Sequence, residues 1–122
     1  MARPSHFEIP TSNPQKAIDF YTDAFGWEFT KWDGPMEYWL INTGEPSEPG
    51  INGGLLRRLD PDQPCVNTVV VADLDKTLGT IIKSGGTIAL PKMPVPGIGW
   101  LAYCKDLDGH MIGVLQNDPA AK

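Results

Sequence analysis

Residues 11–27, TSNPQKAIDFYTDAFGW, read as a helix with both ends marked. Asn13 stands where an N-cap is needed, and Pro14 takes the first helical position, where its missing N–H costs nothing. Ala17, Ile18, Tyr21, Ala24 and Phe25 recur at helical spacing and make one apolar stripe. Gly26 supplies the stop. Residues 71–86, VADLDKTLGTIIKSGG, repeat the arrangement, with Asp73 as cap and Gly85-Gly86 as stop. Displaced by sixty residues, the landmarks coincide: Ile9 with Val69, Asn13 with Asp73, Lys16 with Lys76, Ile18 with Leu78, Gly26 with Gly86.

Apolar patterning places strands around each helix in the same order. HFEIP precedes the first helix, and WEFTKW, MEYWLINT and INGGLLRRL follow it. CVNTVVV precedes the second, and TIAL, WLAYCKD and HMIGVLQ follow, with PKMPVPGIG read as a loop between strands. One supersecondary unit, βαβββ, therefore occurs twice, and each half is too small to bury its own face. The expected fold is α+β and a single domain over residues 1–122. Its modules span about 4–60 and about 64–117.

Bulk properties narrow the partners. The chain carries 10 basic and 15 acidic residues, a net charge of -5, which argues against nucleic acid and against an anionic membrane surface. Cys65 and Cys104 lie outside any CxxC spacing, so neither a disulfide scaffold nor a zinc knuckle is expected, and each reads as a small buried thiol. MARPSHFEIP has no apolar h-region, and no run reaches membrane length. The expected location is the reducing cytoplasm.

On the strands, His6 and Glu8 share a face in i, i+2 relation, within hydrogen-bond reach of each other. A carboxylate raises the pKa of a nearby histidine, so the pair could do acid–base work or serve as a structural pair. Trp32, Tyr38, Trp39, Trp100 and Tyr103 are available as pocket walls, although alternation lets only half of them face one way. His110, after an Asp-Gly turn, reads as solvent-exposed. GINGG precedes a strand and lacks the helix N-terminus that binds phosphate.

SHFEIPTSNPQKAIDFYTDAFGW, with His6 and the Phe20-Tyr21 pair, resembles the opening of the vicinal oxygen chelate superfamily, which includes glyoxalases, bleomycin-resistance proteins and extradiol dioxygenases. VADLDKTLGTIIKSGG and KDLDGHMIGVLQ resemble its second module, and GPMEYWLI, GINGG and PKMPVPGIGW resemble a bacterial branch of small single-domain members. The resemblance implies a curved, cup-like mixed sheet with helices outside, and a homodimer. It also implies a divalent ion in the metal enzymes, held by four strand positions. Carried over, those positions are His6, Val66, Gly113 and Gly53 or Gly54, of which only His6 can coordinate.

No cofactor is therefore expected, and a divalent metal is disfavoured. Cup-lining candidates are His6, Glu8, Tyr38, Trp39, Val66, Trp100 and Gly113. The favoured reading is a metal-free dimer that binds a small organic molecule. The alternatives are a lyase- or dioxygenase-type enzyme with a non-standard metal site and a dimeric interaction module. The proline-stiffened segment PKMPVPGIGW is expected to cover the cup mouth.

Overall fold

A computed structural model describes residues 2–122. The architecture is α+β, two βαβββ modules, each with a mixed four-stranded sheet and one helix. By contacts the chain divides into two units, His6–Cys65 and Val66–Lys122, the latter grouped with the segment through Ser5.

In the first module β1 (Arg3–Thr11) leads to α1 (Pro14–Phe25), then β2 (Glu28–Lys31), β3 (Tyr38–Asn42) and β4 (Asn52–Arg57). The Asn13 side chain accepts from the Lys16 amide, and Gly26 ends the helix in the left-handed region at φ 72°, as its lack of a Cβ permits. The strand order is β2-β3-β4-β1; β1 runs parallel to β4, and the other pairs are antiparallel. Phe7, Tyr21, Phe25 and Trp27 form an aromatic cluster between β1 and α1, with Tyr21 stacked on Trp27 at 5.2 Å. Ile41 and Leu55 are fully buried.

The second module repeats the path with β5 (Val66–Val70), α2 (Leu74–Lys83), β6 (Thr87–Val95), β7 (Gly99–Lys105) and β8 (Met111–Asn117). Its order is β5-β8-β7-β6, with β5 parallel to β8. Asp73 caps α2 through the Lys76 amide. Leu74, Ala102, Cys104 and Val114 form the core, flanked by Val71, Leu78, Ile81, Ile88, Trp100 and Ile112.

Two expectations are corrected. PKMPVPGIGW is not a loop: β6 continues through Pro91 and Pro94 to Val95 and pairs with β7, Pro94 opposite Trp100. Proline is tolerated there because β6 is the outer strand of its module's order, and irregularities around Leu90 absorb the missing donors. The segment is one arm of a hairpin. Cys65 is exposed, whereas Cys104 is buried as expected and its thiol pKa is raised by burial. Among the described residues no helix is long and apolar enough to cross a membrane.

Candidate functional site

The chemistry of the first module gathers on the sheet face opposite α1. Phe7 points toward the aromatic cluster, so its neighbours His6 and Glu8 point the other way. Parallel pairing sets Glu8 opposite Gly54 and His6 opposite Asn52. Antiparallel pairing sets Leu40 opposite Gly54 and Tyr38 opposite Leu56, which puts Tyr38 on the His6 and Glu8 face.

The Tyr38 hydroxyl lies 2.9 Å from His6 Nε2 and donates to Glu8 Oε2 at 3.1 Å. The expected direct pairing of His6 with Glu8 is thus a bridge through a phenol, contributed from thirty-two residues along the chain. A phenol has one proton to give. With that proton on Glu8, His6 Nε2–H completes the network by donating to the phenol oxygen; this tautomer is assigned from the network. Burial lowers the His6 pKa, against a smaller opposing pull from the Glu8 charge, which favours the neutral imidazole. Trp32 meets the Tyr38 ring edge-on at 6.0 Å.

Gly54 is what lets Tyr38 reach this place. A Cβ built on Gly54 would overlap the Tyr38 hydroxyl and ring. Register also decides between the two glycines. Glu8 pairs with Gly54 as Thr68 pairs with Gly113 in the second module, so Gly54 is the counterpart of Gly113.

Trp39 and Trp100 do not join these faces. Trp39 follows Tyr38 directly and points to the opposite side, where the Lys31 ammonium lies 5.6 Å from its ring centroid. Trp100 packs against the α2 core and donates from Nε1 to Asp118 at 3.1 Å. Strand alternation predicts two faces but cannot say which is which until one residue is anchored. In the second module Val66, Thr68 and Gly113 share a buried face away from α2, and Tyr103 pairs with Gly113. Thr68 is a residue the sequence pattern leaves unnamed, and Tyr103 is one it offers as a wall without placing it on this face. Parity with Gly113 on β7 and the sixty-residue shift from Glu8 were the available signals.

His110 is exposed, and its Nδ1 lies 3.0 Å from Asp106 within the turn. Backbone amides of His110 and Asp108 and the His110 ring all lower the Asp106 pKa. This closes the turn ahead of β8. A shallow surface depression at the start of α2, lined by Val70, Val71, Asp73 and Lys76 among others, contains none of the three bridged residues.

A divalent ion held in the four-position manner does not fit this donor set. Val66 and Gly113 offer no donor, Gly54 has no side chain and no room for one, and His6 Nε2 is engaged by Tyr38.

Residues 3–114 match the family model described as the Glyoxalase/Bleomycin resistance protein/Dioxygenase superfamily. The chain is 25% identical over 122 residues to the provisionally named glyoxylase CFP32 of Mycobacterium tuberculosis, with the same figures for the Mycobacterium bovis protein. The match covers 93% of this chain but 45% of those relatives, so the chain spans under half of their length. Among solved structures, methylmalonyl-CoA epimerase from Mycobacterium tuberculosis superposes with a TM-score of 0.70 at 16% identity, covering 94% of this chain and 87% of that one. A hypothetical protein from Bacillus halodurans gives 0.73 at 13% identity, covering 99% and 98%. A superfamily member from Vibrio splendidus gives 0.69 at 16% identity, covering 97% and 100%. At these identities what the structures share with this chain is the fold.

Proposed function

We propose that this chain, which belongs to the glyoxalase/bleomycin resistance protein/dioxygenase superfamily, binds a small organic molecule through a metal-independent polar anchor. The anchor is His6–Tyr38–Glu8. The observation that carries the reading is the placement of the Tyr38 hydroxyl between His6, which the resemblance aligns with a family ligand position, and Glu8. A binding site needs a few fixed polar groups amid apolar surface to orient its ligand. A phenol locked between two partners, with Trp32 against its ring, supplies such a group. The family resemblance supports a homodimer as the working form, and two cysteines outside any disulfide spacing support the reducing cytoplasm as its location.

The second reading is an enzyme that uses the same three residues for proton transfer. The depressed His6 pKa favours it, because a neutral imidazole at physiological pH can accept a proton. A superposable epimerase fold does not choose between the readings, since one scaffold hosts many chemistries.

Thermal-shift screening of chelator-treated protein against a panel of small aromatic and amphipathic molecules tests the proposal. At a hundredfold excess over Kd a binder stabilises the native state by about 2.7 kcal/mol. The expected result is a raised Tm with at least one compound class, reduced in Tyr38→Phe and His6→Ala. A panel that leaves Tm unchanged throughout counts against binding.

A further inference from the structure

We infer that Tyr38 determines which class of ligand this site accepts, by excluding a divalent cation from His6 Nε2. This inference rests on the metal-independent reading above and names the residue responsible.

Three observations meet at Tyr38. First, the phenol proton is spent on Glu8 Oε2, so the bridge to His6 is completed by the proton on Nε2. That nitrogen then has no lone pair to offer a metal, and coordination through it would require the bridge to be dismantled. Second, Gly54 sits opposite Glu8, where a side chain would emerge onto the face of His6 and Glu8. A Cβ there would coincide with the hydroxyl and two ring carbons of Tyr38. Tyr38 and any coordinating residue at position 54 are therefore mutually exclusive. Third, the second module has the same glycine without the same obstruction. At Gly113 the atoms nearest an added Cβ are Thr68 Oγ1 at 2.8 Å and, at 3.5 Å, Thr68 Cβ and the Val66 Cγ1 methyl. By register the residue in Tyr38's place on β7 is Leu101, opposite Leu115 as Tyr38 is opposite Leu56. Loss of a side chain opposite the first strand is common to both modules. A phenol as the nearest group to the added Cβ occurs in the first module alone.

Tyr38 thus accounts for two properties together. It fixes a hydroxyl as the polar feature that a ligand would meet, and it blocks the return of a carboxylate beside His6. Replacing Tyr38 by alanine and Gly54 by glutamate together should restore a donor set on one face of adjacent strands: His6, Glu8 and the introduced carboxylate at position 54. Such a mixed imidazole and carboxylate set suits Zn²⁺ or Mn²⁺.

The test compares wild type, Gly54→Glu, Tyr38→Ala/Gly54→Glu and that double variant with His6→Ala. Each is titrated with Zn²⁺ and with Mn²⁺ by calorimetry, and bound metal is counted by elemental analysis. The double variant should take up one ion per chain, roughly tenfold or more tighter than wild type, and lose it with His6→Ala. Gly54→Glu alone should melt below the double variant and bind no better than wild type. Stoichiometric uptake by wild type that His6→Ala or Tyr38→Phe removes would overturn the inference, since Tyr38 would then admit the ion. So would a folded double variant that takes up none.

Gly54→Ala and Tyr38→Ala/Gly54→Ala provide a readout independent of metal. The loss of Tm from Gly54→Ala should be at least halved when Tyr38 is alanine. Additive losses, each measured against the single Tyr38 variant, mean that Tyr38 does not occupy the contested space; should the alanine variant not fold, Tyr38→Leu, which also lacks the ring and hydroxyl, makes the same comparison. Failure of the organic-ligand screen with these outcomes intact removes the binding proposal and leaves the exclusion standing. Metal uptake by wild type alongside a compound that stabilises chelator-treated protein does the reverse.

Discussion

Removing one oxygen atom tests the anchor most directly. Tyr38→Phe keeps the ring against Trp32 and over Gly54, so packing changes little. What goes is the donor to Glu8 at 3.1 Å and the partner of His6 Nε2 at 2.9 Å. A hydrogen bond to a charged acceptor is worth about 1.5–3 kcal/mol, and one between neutral groups about 0.5–1.5 kcal/mol. Both partners are part-buried, so water replaces some of the loss, and a net cost of about 1–2 kcal/mol follows. For a chain of this length that corresponds to a Tm lower by roughly 4–8 °C. Differential scanning calorimetry at pH 7.5 measures it. The His6 imidazole ¹⁵N shifts provide a second reading, because the Nε2–H tautomer loses its acceptor. A variant within about 0.3 kcal/mol of wild type, with unchanged imidazole shifts, would show that the bridge does not form in solution.

Other outcomes follow from the same coordinates. The folded-state pKa of His6 lies below its ordinary value of 6.5, so the unfolded chain binds the proton more readily. That contribution to stability is fully present above about pH 6.5 and declines as pH falls toward the folded value. Urea midpoints should therefore drop more between pH 7.5 and 5.5 in wild type than in His6→Gln, and equal drops would contradict the burial of His6. Leu74→Ala, at a position 1% exposed within the second-module core, should cost about 2–5 kcal/mol in urea unfolding; a loss under 1 kcal/mol would mean the core is not closed as described. Gly113→Ala should cost only about 1 kcal/mol, because the contact to relieve is one Thr68 hydroxyl. A Tm loss as large as that of Gly54→Ala would refute the asymmetry between the modules.

The sequence carries the elements better than it carries the site. Helix ends are written locally: Asn13 and Asp73 both bond the third amide beyond them, as their residue types and spacing imply. The duplication was legible for the same reason, since cap, stripe and stop recur at a fixed interval. β6 was misread because two prolines normally exclude a strand, and edge position cannot be seen before the strand order is known. The His6–Tyr38 contact lay further out of reach. It depends on two registers at once, β3 on β4 and β4 on β1, and an error of one residue in either would send Tyr38 to the helix side. The wrong face given to Trp39 has the same origin. A local hint did exist: two adjacent buried glycines in a central strand, one lying under the Phe7 ring and the other under Tyr38.

Comparing the modules position by position separates what folds the chain from what gives it chemistry. On the helix sides both carry a capped helix over buried strand residues, Leu55 and Ile41 in one and Ala102, Cys104 and Val114 in the other. On the opposite faces the counterparts diverge. His6, Glu8 and Tyr38 stand where the second module has Val66, Thr68 and Leu101, while Gly54 and Gly113 agree. Burial on the helix side supplies most of the folding energy, which is why Leu74→Ala should cost more than Tyr38→Phe. A part-buried imidazole, carboxylate and phenol gain little over aliphatic groups for folding, because each must be desolvated before it is paired. The second module meets the same backbone demands with an isopropyl group, a hydroxyl and an isobutyl group. The polar trio of the first module is therefore not something the fold requires, and its three groups are linked through one oxygen. That is the physical reason to look for the ligand at Tyr38.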